Sequence, residues 1–310
     1  MAQIIETATG TIDKVDVDPV TLDLIENGLR NARYEMDEVL FRTALSPGIR
    51  EQHDEFPLIG DPEGKMVVGQ FGMSIPDFLE GFHDTIEEGD VLLTSDPYSC
   101  GAAISHANDW LVVVPIFHEG RIVGWASMFG HMSDVGGKTP SSMPTDATTI
   151  FEEGVVIPPF KLYRKGVLND DALRIVLNQV RKPDWNRADL NGLVAACRTA
   201  SRRVVEMCDR FGTATYVSAL DALLQRNYDA MKVLLTMVFE EGKTLSFTDY
   251  ICDDGVGNGP YELKMSLTRT GDKVHIDFTG SSPQAAGPIN YYINENLTRM
   301  FFGIYMITVA

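Results

Sequence analysis

The chain has 310 residues, 44% hydrophobic and 23% charged, with a formal net charge of −18 and an isoelectric point of about 4.6. That length can bury a sizeable core in roughly two domains, and so acidic a surface repels phosphate backbones and argues against nucleic acid as a partner. No apolar run reaches the ~18 residues of a membrane span, Met1–Asp18 is too polar for a signal peptide, and four scattered cysteines without a C-x-x-C pair point to a reducing, cytoplasmic setting.

Asp18-Pro19 opens the first helix, with a capping carboxylate before a proline that the first helical position tolerates. Leu22, Ile25, Leu29, Ala32, Met36 and Val39 then follow at three- and four-residue steps, which makes one apolar face that should end before Pro47-Gly48. From Glu55 the pattern changes to strands. Pro57–Ile59 and Met66–Val68 flank the turn Gly60-Asp-Pro-Glu-Gly64. Val91–Thr94 is a short apolar strand, and Trp110–Phe117 and Arg121–Phe129 flank His118-Glu-Gly120 as a second hairpin. From Asn169 the reading is helical again. Asp189–Phe211 and Tyr216–Phe239 form a helical hairpin with Gly212 as the stop between them. Tyr261–Thr268 and Lys273–Phe278 make a third strand hairpin. The expected fold is α+β, with antiparallel sheet regions and a long helical hairpin between them. The expected divisions are 1–165, 166–241 and a β-containing start of a further region at 242–310. The closing segment Met300–Ala310 is too short to cross a bilayer and too apolar to face water all round, so it reads as a buried helix of a longer fold that continues past residue 310.

Six histidines are present. With the second hairpin turning at Glu119-Gly120, opposed residue numbers sum to about 239, which sets His131 across from Ala107 or Asn108, between His106 and Asp109. Opposed Cβ atoms lie ~4.5–5.5 Å apart, so two imidazoles and a carboxylate come within reach of one ion. Residues 106 and 109 differ by an odd number, and a regular strand would point them to opposite faces. The metal reading therefore requires an irregular approach to the strand after Gly101-Ala-Ala-Ile-Ser105; the alternative is a set of polar residues at a hairpin's open end. Asp134, in the glycine-flanked loop Gly130–Gly137, and Asp54, in Glu51-Gln-His-Asp-Glu55, are further candidate ligands, each also compatible with an ordinary turn or a solvated loop. Gly255-Val-Gly-Asn-Gly259 precedes a strand rather than a helix and fails as a dinucleotide loop; no P-loop and no G-x-S-x-G elbow is present.

Several blocks in order resemble the hydantoinase B/oxoprolinase family: Asp18-Pro-Val-Thr-Leu-Asp-Leu-Ile, Leu40-Phe-Arg-Thr-Ala44, Asp96-Pro-Tyr98 followed by His106-x-x-Asp109, Gly130-His-Met-Ser-Asp-Val-Gly-Gly137 through Pro144, Glu153-Gly-Val-Val-Ile-Pro-Pro159, and Asp277-Phe-Thr-Gly-Ser281 with Gly287-Pro-Ile-Asn290. The resemblance implies a divalent ion (Mn, Zn or Fe) held by His106, Asp109 and His131. It also implies a hydantoinase A-like partner subunit that carries ATP and Mg, and a small carbonyl-containing substrate. The implied reaction is ring opening of a cyclic amide; the alternatives are carboxylation of a ketone, as in acetone and acetophenone carboxylases, and a non-catalytic assembly subunit. Two departures stand out. The stretch between Asp96-Pro-Tyr98 and His106 is longer than the family's short Gly-Gly-Thr-His. Where many members carry His-Ile-Pro-x-His, this chain has Ser74-Ile-Pro-Asp-Phe78, which leaves a single-metal site and nudges the reading toward ketone carboxylation without displacing ring opening from the lead.

Overall fold

The structure, a computed structural model, describes residues 12–70, 73–141, 143–292 and 294–309. Most of the N-terminal polar stretch, Phe71, Ser142 and Ala310 lie outside them. Helix α1 (Pro19–Thr43) starts as its sequence signals. Asp18 Oδ1 accepts from the backbone N–H groups of Val20 and Thr21 at 3.0 and 3.1 Å, and Pro19 follows at the first helical position. Its buried stripe is Ile25, Leu29, Ala32, Met36 and Leu40. A short turn of helix, α2 (Pro47–Arg50), turns the chain into strand β1 (Glu55–Gly60), which pairs with β2 (Met66–Gly69) across the expected turn.

After a six-residue helix, α3 (Ile75–Glu80), come β3 (Val91–Thr94), β4 (Asp109–His118) and β5 (Arg121–His131), then the hairpin β6 (Phe160–Arg164) and β7 (Val167–Leu168). Together they form one seven-stranded antiparallel sheet in the order β2-β1-β5-β4-β3-β6-β7. Alternation along β4 assigns its two faces. Trp110, Val112, Val114 and Ile116 join α1 and the long helix α5 (Pro183–Phe211) in one core. Leu111 and Val113 point the other way, into a second core with Ile75, Phe78 and Leu79 of α3. Burial on both faces explains why β4 and β5 read as nearly continuous apolar runs.

The short helix α4 (Asp170–Leu177) leads into α5, and Gly212 alone, at φ 87°, separates α5 from α6 (Thr213–Val238). Sequence periodicity pairs α5 with α6; in the structure α5 lies along α1 as well, antiparallel to it. A Cβ on Gly28 would stand 2.6 Å from Met207 Sδ, and one on Gly192 would stand 3.0 Å from Leu40 Cδ1 at the other end. The first half of α6 adds Tyr216, Ala219, Leu220 and Leu223 to the same core. Beyond it, β8 (Thr244–Ile251), β9 (Tyr261–Thr270) and β10 (Lys273–Asp277) form a three-stranded sheet, and α7 (Glu295–Val309) packs Met306 with Leu235, Phe239 and Leu267. Among the described residues no helix is long and apolar enough to cross a membrane, and the four cysteines are free thiols.

The β1–β2 turn carries a testable cost. Asp61 is 1% exposed; its Oδ1 accepts from Lys65 N at 2.8 Å, while Oδ2 has no hydrogen-bond partner. Burial pushes its carboxyl up from 3.8 to about 7. Because the folded value is the higher one, the native state binds the proton more tightly. The group's contribution is then fully present below pH 4 and is lost as pH rises toward 7, on the order of 1.4 kcal/mol per unit. Asp61→Asn mimics the protonated form. Its urea midpoint should match the wild type near pH 4 and exceed it at pH 8; equal midpoints at both would show that the carboxylate is not strained by burial.

Candidate metal centre and substrate cleft

The centre forms where β1, β5 and β4 end side by side. Asp109 is the first residue of β4 and lies directly opposite His131, the last of β5. The simple hairpin arithmetic is off by one because Val123 is an extra residue on β5. Phe117 pairs with Ile122 but Ile116 pairs with Gly124, and this bulge shifts every later pair. His131 is bonded on its other side to the residue before β1, donating from its backbone N to Asp54 O at 3.0 Å. Asp54, His131 and Asp109 therefore share one rung across three strands. His106 joins them from outside the ladder. Residues 106–109 form a turn, with Asp109 N donating to His106 O at 3.2 Å, and that irregular approach removes the odd-spacing difficulty.

Three donor atoms converge. His106 Nε2 is 3.1 Å from His131 Nδ1 and 3.1 Å from Asp109 Oδ1, and His131 Nδ1 is 3.3 Å from the same oxygen. Donors that share one ion at bonds of about 2.0–2.1 Å stand about 2.9–3.4 Å apart for octahedral to tetrahedral angles, so the triangle has the right size. Oδ1 is buried and, although close to both rings, accepts no hydrogen bond of good geometry; three facing lone-pair donors repel unless a proton or a cation sits among them. Burial works against the Asp109 carboxylate, but the two imidazoles outweigh it and hold its carboxyl below the usual range. Burial likewise opposes the charge on His106, and Asp109 overcomes it and raises that imidazole. Among the described residues this is the only His/Cys/Asp/Glu group of metal-binding geometry.

Asp54 stands one step out, with Oδ2 3.5 Å from His131 Nδ1; burial and the Asp109 charge raise its carboxyl. Asp134 does not join the cluster. It is 3% exposed and pairs at 3.0 Å with Arg181 Nε, whose other nitrogens donate to the carbonyls of Gly136, Gly137 and Thr139. That clamp sets the shape of the loop after His131, and Asp134 serves it as an anchor. Ser74 caps α3, and Phe78 is buried on it.

Sequence reading missed the supporting residues. Ser105 Oγ lies 2.9 Å from His106 Nδ1 and turns Nε2 toward the triangle. Asp189, fully buried on α5, accepts from Ser46 N and Ser46 Oγ, and Ser46 Oγ accepts in turn from Ser133 N at 2.9 Å, which ties the chain just after His131 to the helical layer. Gly48 packs against the His131 carbonyl, where a Cβ would sit at 3.2 Å.

One corner of the triangle, His106, lines a cleft of about 680 Å³. His106, Ser105 and Tyr98 line one side, Glu153 and the 143–150 loop another, and Asp253–Gly255 with 284–292 the third. Asp254 builds that third wall. Its own loop covers its carboxylate, which accepts from Val256 N, Asn258 N, Asn258 Nδ2, Tyr261 Oη and Gly287 N. The desolvation is outweighed by these donors, and its carboxyl stays well below the usual range. Gly255, at φ 77°, lets this loop cross the carbonyl of Thr145, so the glycine-rich run serves a chain crossing and not a nucleotide.

Similarity to known proteins bears on the family and the fold. The chain is 30% identical over 301 residues to the caprolactamase subunit beta of Pseudomonas jessenii, covering 94% of this chain and 50% of that one. It is 31% identical over 219 residues to the acetophenone carboxylase delta subunit of Aromatoleum aromaticum, covering 68% of this chain and 31% of that one. The crystal structure of the ATP-dependent caprolactamase from Pseudomonas jessenii superposes with a TM-score of 0.82 at 27% identity, over 94% of this chain and 51% of that one. The chain thus spans about half or less of the length of these relatives. With residues 18–310 matching the Hydantoinase B/oxoprolinase model, the chain belongs to the hydantoinase B/oxoprolinase family.

Proposed function

We propose that this chain is the metal-binding subunit of a cytoplasmic ATP-dependent enzyme that opens a cyclic amide at its carbonyl, with His106, Asp109 and His131 as ligands and Asp54 as a fourth. The observation that carries the reading is the 3.1–3.3 Å triangle of two imidazole nitrogens and one carboxylate oxygen at the mouth of the cleft. A divalent ion there supplies Lewis acidity to a substrate carbonyl, and two imidazoles with carboxylates suit Mn²⁺, Zn²⁺ or Fe²⁺. The chain's own residues hold the carbonyl in the cleft, keep both rings aimed through Ser105 and the shared rung, and shield the site through the Asp254 loop. Activation by ATP falls to a hydantoinase A-like subunit that binds ATP and Mg²⁺, since no phosphate-binding loop is present in the sequence.

Ketone carboxylation is the second reading. It is favoured by the single-metal arrangement, with Ser74 and Phe78 committed to α3, and by the 31% identity to a carboxylase subunit. The two readings separate in one assay. The chain, purified together with its co-expressed partner, is given ATP, Mg²⁺ and Mn²⁺ with either caprolactam, hydantoin and 5-oxoproline, or acetone and acetophenone plus bicarbonate. Ring-opened acid from the first set, dependent on ATP, is the expected result. Bicarbonate-dependent product from the second set alone would replace the reading with carboxylation, and ATP turnover by this polypeptide without a partner would refute the division of labour.

A further inference from the structure

We propose that Glu153 is the general base of this site: it takes the proton from the water that attacks the substrate carbonyl. The inference rests on the reading of His106, Asp109 and His131 as a metal centre. Glu153 lines the same cleft as His106 and is half-buried there. Among the described residues its carboxylate has neither a hydrogen bond nor an ion pair, and the one charged side chain that acts on it is His106. Lys138, which reaches the neighbouring Glu152, is engaged there: its Nζ sits 3.1 Å from Asp146 and 3.5 Å from Glu152. Glu152, the adjacent carboxylate, is also bound by the Thr148 backbone N–H. A cleft carboxylate left free while its neighbour holds the Lys138 and Thr148 donors is available for chemistry.

Its backbone is held rigidly. Glu153 N donates to Ile150 O at 3.1 Å, Lys138 N to Glu152 O at 2.8 Å and Val155 N to Val135 O at 2.8 Å. Gly137, at φ 78°, packs so closely that a Cβ there would lie 2.5 Å from Glu152 O and 2.7 Å from Glu153 C. The strap bearing Glu153 is thus zipped to the loop that follows His131, so base and metal ligand keep a fixed relation. Burial also raises its carboxyl above the usual range, which makes it a better proton acceptor near neutrality. In the step, a water O–H bond breaks and its proton goes to Glu153 while the oxygen bonds to the carbonyl carbon and the π pair moves to the carbonyl oxygen. The oxygen's pair then re-forms the C=O bond as the C–N bond breaks, and nitrogen keeps the C–N pair and takes the proton from Glu153.

The test needs neither the partner nor the natural substrate. The chain loaded with Zn²⁺ is assayed on 4-nitrophenyl acetate, an activated carbonyl that water attacks by the same step. Wild type should exceed the zinc-free chain. Glu153→Gln should keep zinc affinity within about twofold by chelator competition, which also reports folding, yet lose on the order of a hundredfold in rate together with the solvent deuterium isotope effect. Loss of zinc in E153Q would make Glu153 a ligand and overturn the proposal. So would a rate loss below about tenfold, or a wild-type rate no higher than that of the zinc-free chain. His131→Ala is the control: if it retains zinc as wild type does, the metal reading itself fails, and the proposal with it.

Discussion

His131→Ala is expected to purify with essentially no bound divalent ion, and His106→Ala likewise, whereas wild type should carry one per chain. Each change removes one corner of a triangle whose sides are 3.1–3.3 Å, and the two corners that remain, with Asp54 one step out, hold an ion far more weakly. Asp109→Asn keeps the shape but removes the charge that both imidazoles face, and its affinity should fall as steeply. Ser105→Ala is milder, because Nε2 is still present and only its aim is lost; affinity should drop about 10–100-fold. Elemental analysis after dialysis against a weak chelator reads all four. Metal at the wild-type level in both histidine variants would show that the ion, if any, is bound elsewhere.

The second large effect lies far from the cleft. Lys161 of β6 is 3% exposed and its Nζ is 2.8 Å from Oδ2 of Asp90, which is 1% exposed. The same carboxylate accepts from Glu87 N and Lys165 N at 3.0 and 2.9 Å. Lys161→Met fits the space but leaves a buried carboxylate with two backbone donors and no counter-charge, a change that costs about 3–5 kcal/mol. Adding Asp90→Asn removes the stranded charge, so the double variant should recover most of the loss. Urea unfolding of the four proteins in the cycle measures the coupling. Additive effects of the two changes would mean that the pair contributes nothing beyond its separate parts.

Much of this was legible in the sequence because the signals were local. Asp18-Pro19, the turn around Asp61-Pro62, the His118-Glu-Gly120 tip and Gly212 each act on their own neighbours, and the elements they bound came out within a few residues. The contacts that aim the site are long-range and left no such mark. Ser46, Asp189 and Ser133 are ordinary polar residues in three separate segments, and nothing in their spacing announces that they meet. Asp134 and Asp54 looked alike on paper, each an acidic residue in a loop. What separates them is Arg181, 47 positions on from Asp134, and the rung that carries Asp54 to His131. The bulge at Val123 was invisible for another reason: a valine that follows Ile122 in an apolar strand gives no sign of being the extra residue.

That bulge ties the donor triangle to the residue count of the hairpin. The hairpin behaves as a vernier, whose setting at the tip decides which side chains coincide at the far end. Val123 lies eight positions from His131 and touches no ligand, yet it brings His131 into step with Asp109 instead of Asn108. A change in tip length that keeps the phase is tolerated by the two strands alone. One that shifts the phase by a single residue exchanges the two buried faces of β5, so that Trp125 and Phe129 leave their core for the one that holds Ala126 and Met128, and His131 loses its place opposite Asp109. The donor triangle and core integrity are therefore locked to one count, and a drifting sequence cannot lose the first by a slip of register without forfeiting the second.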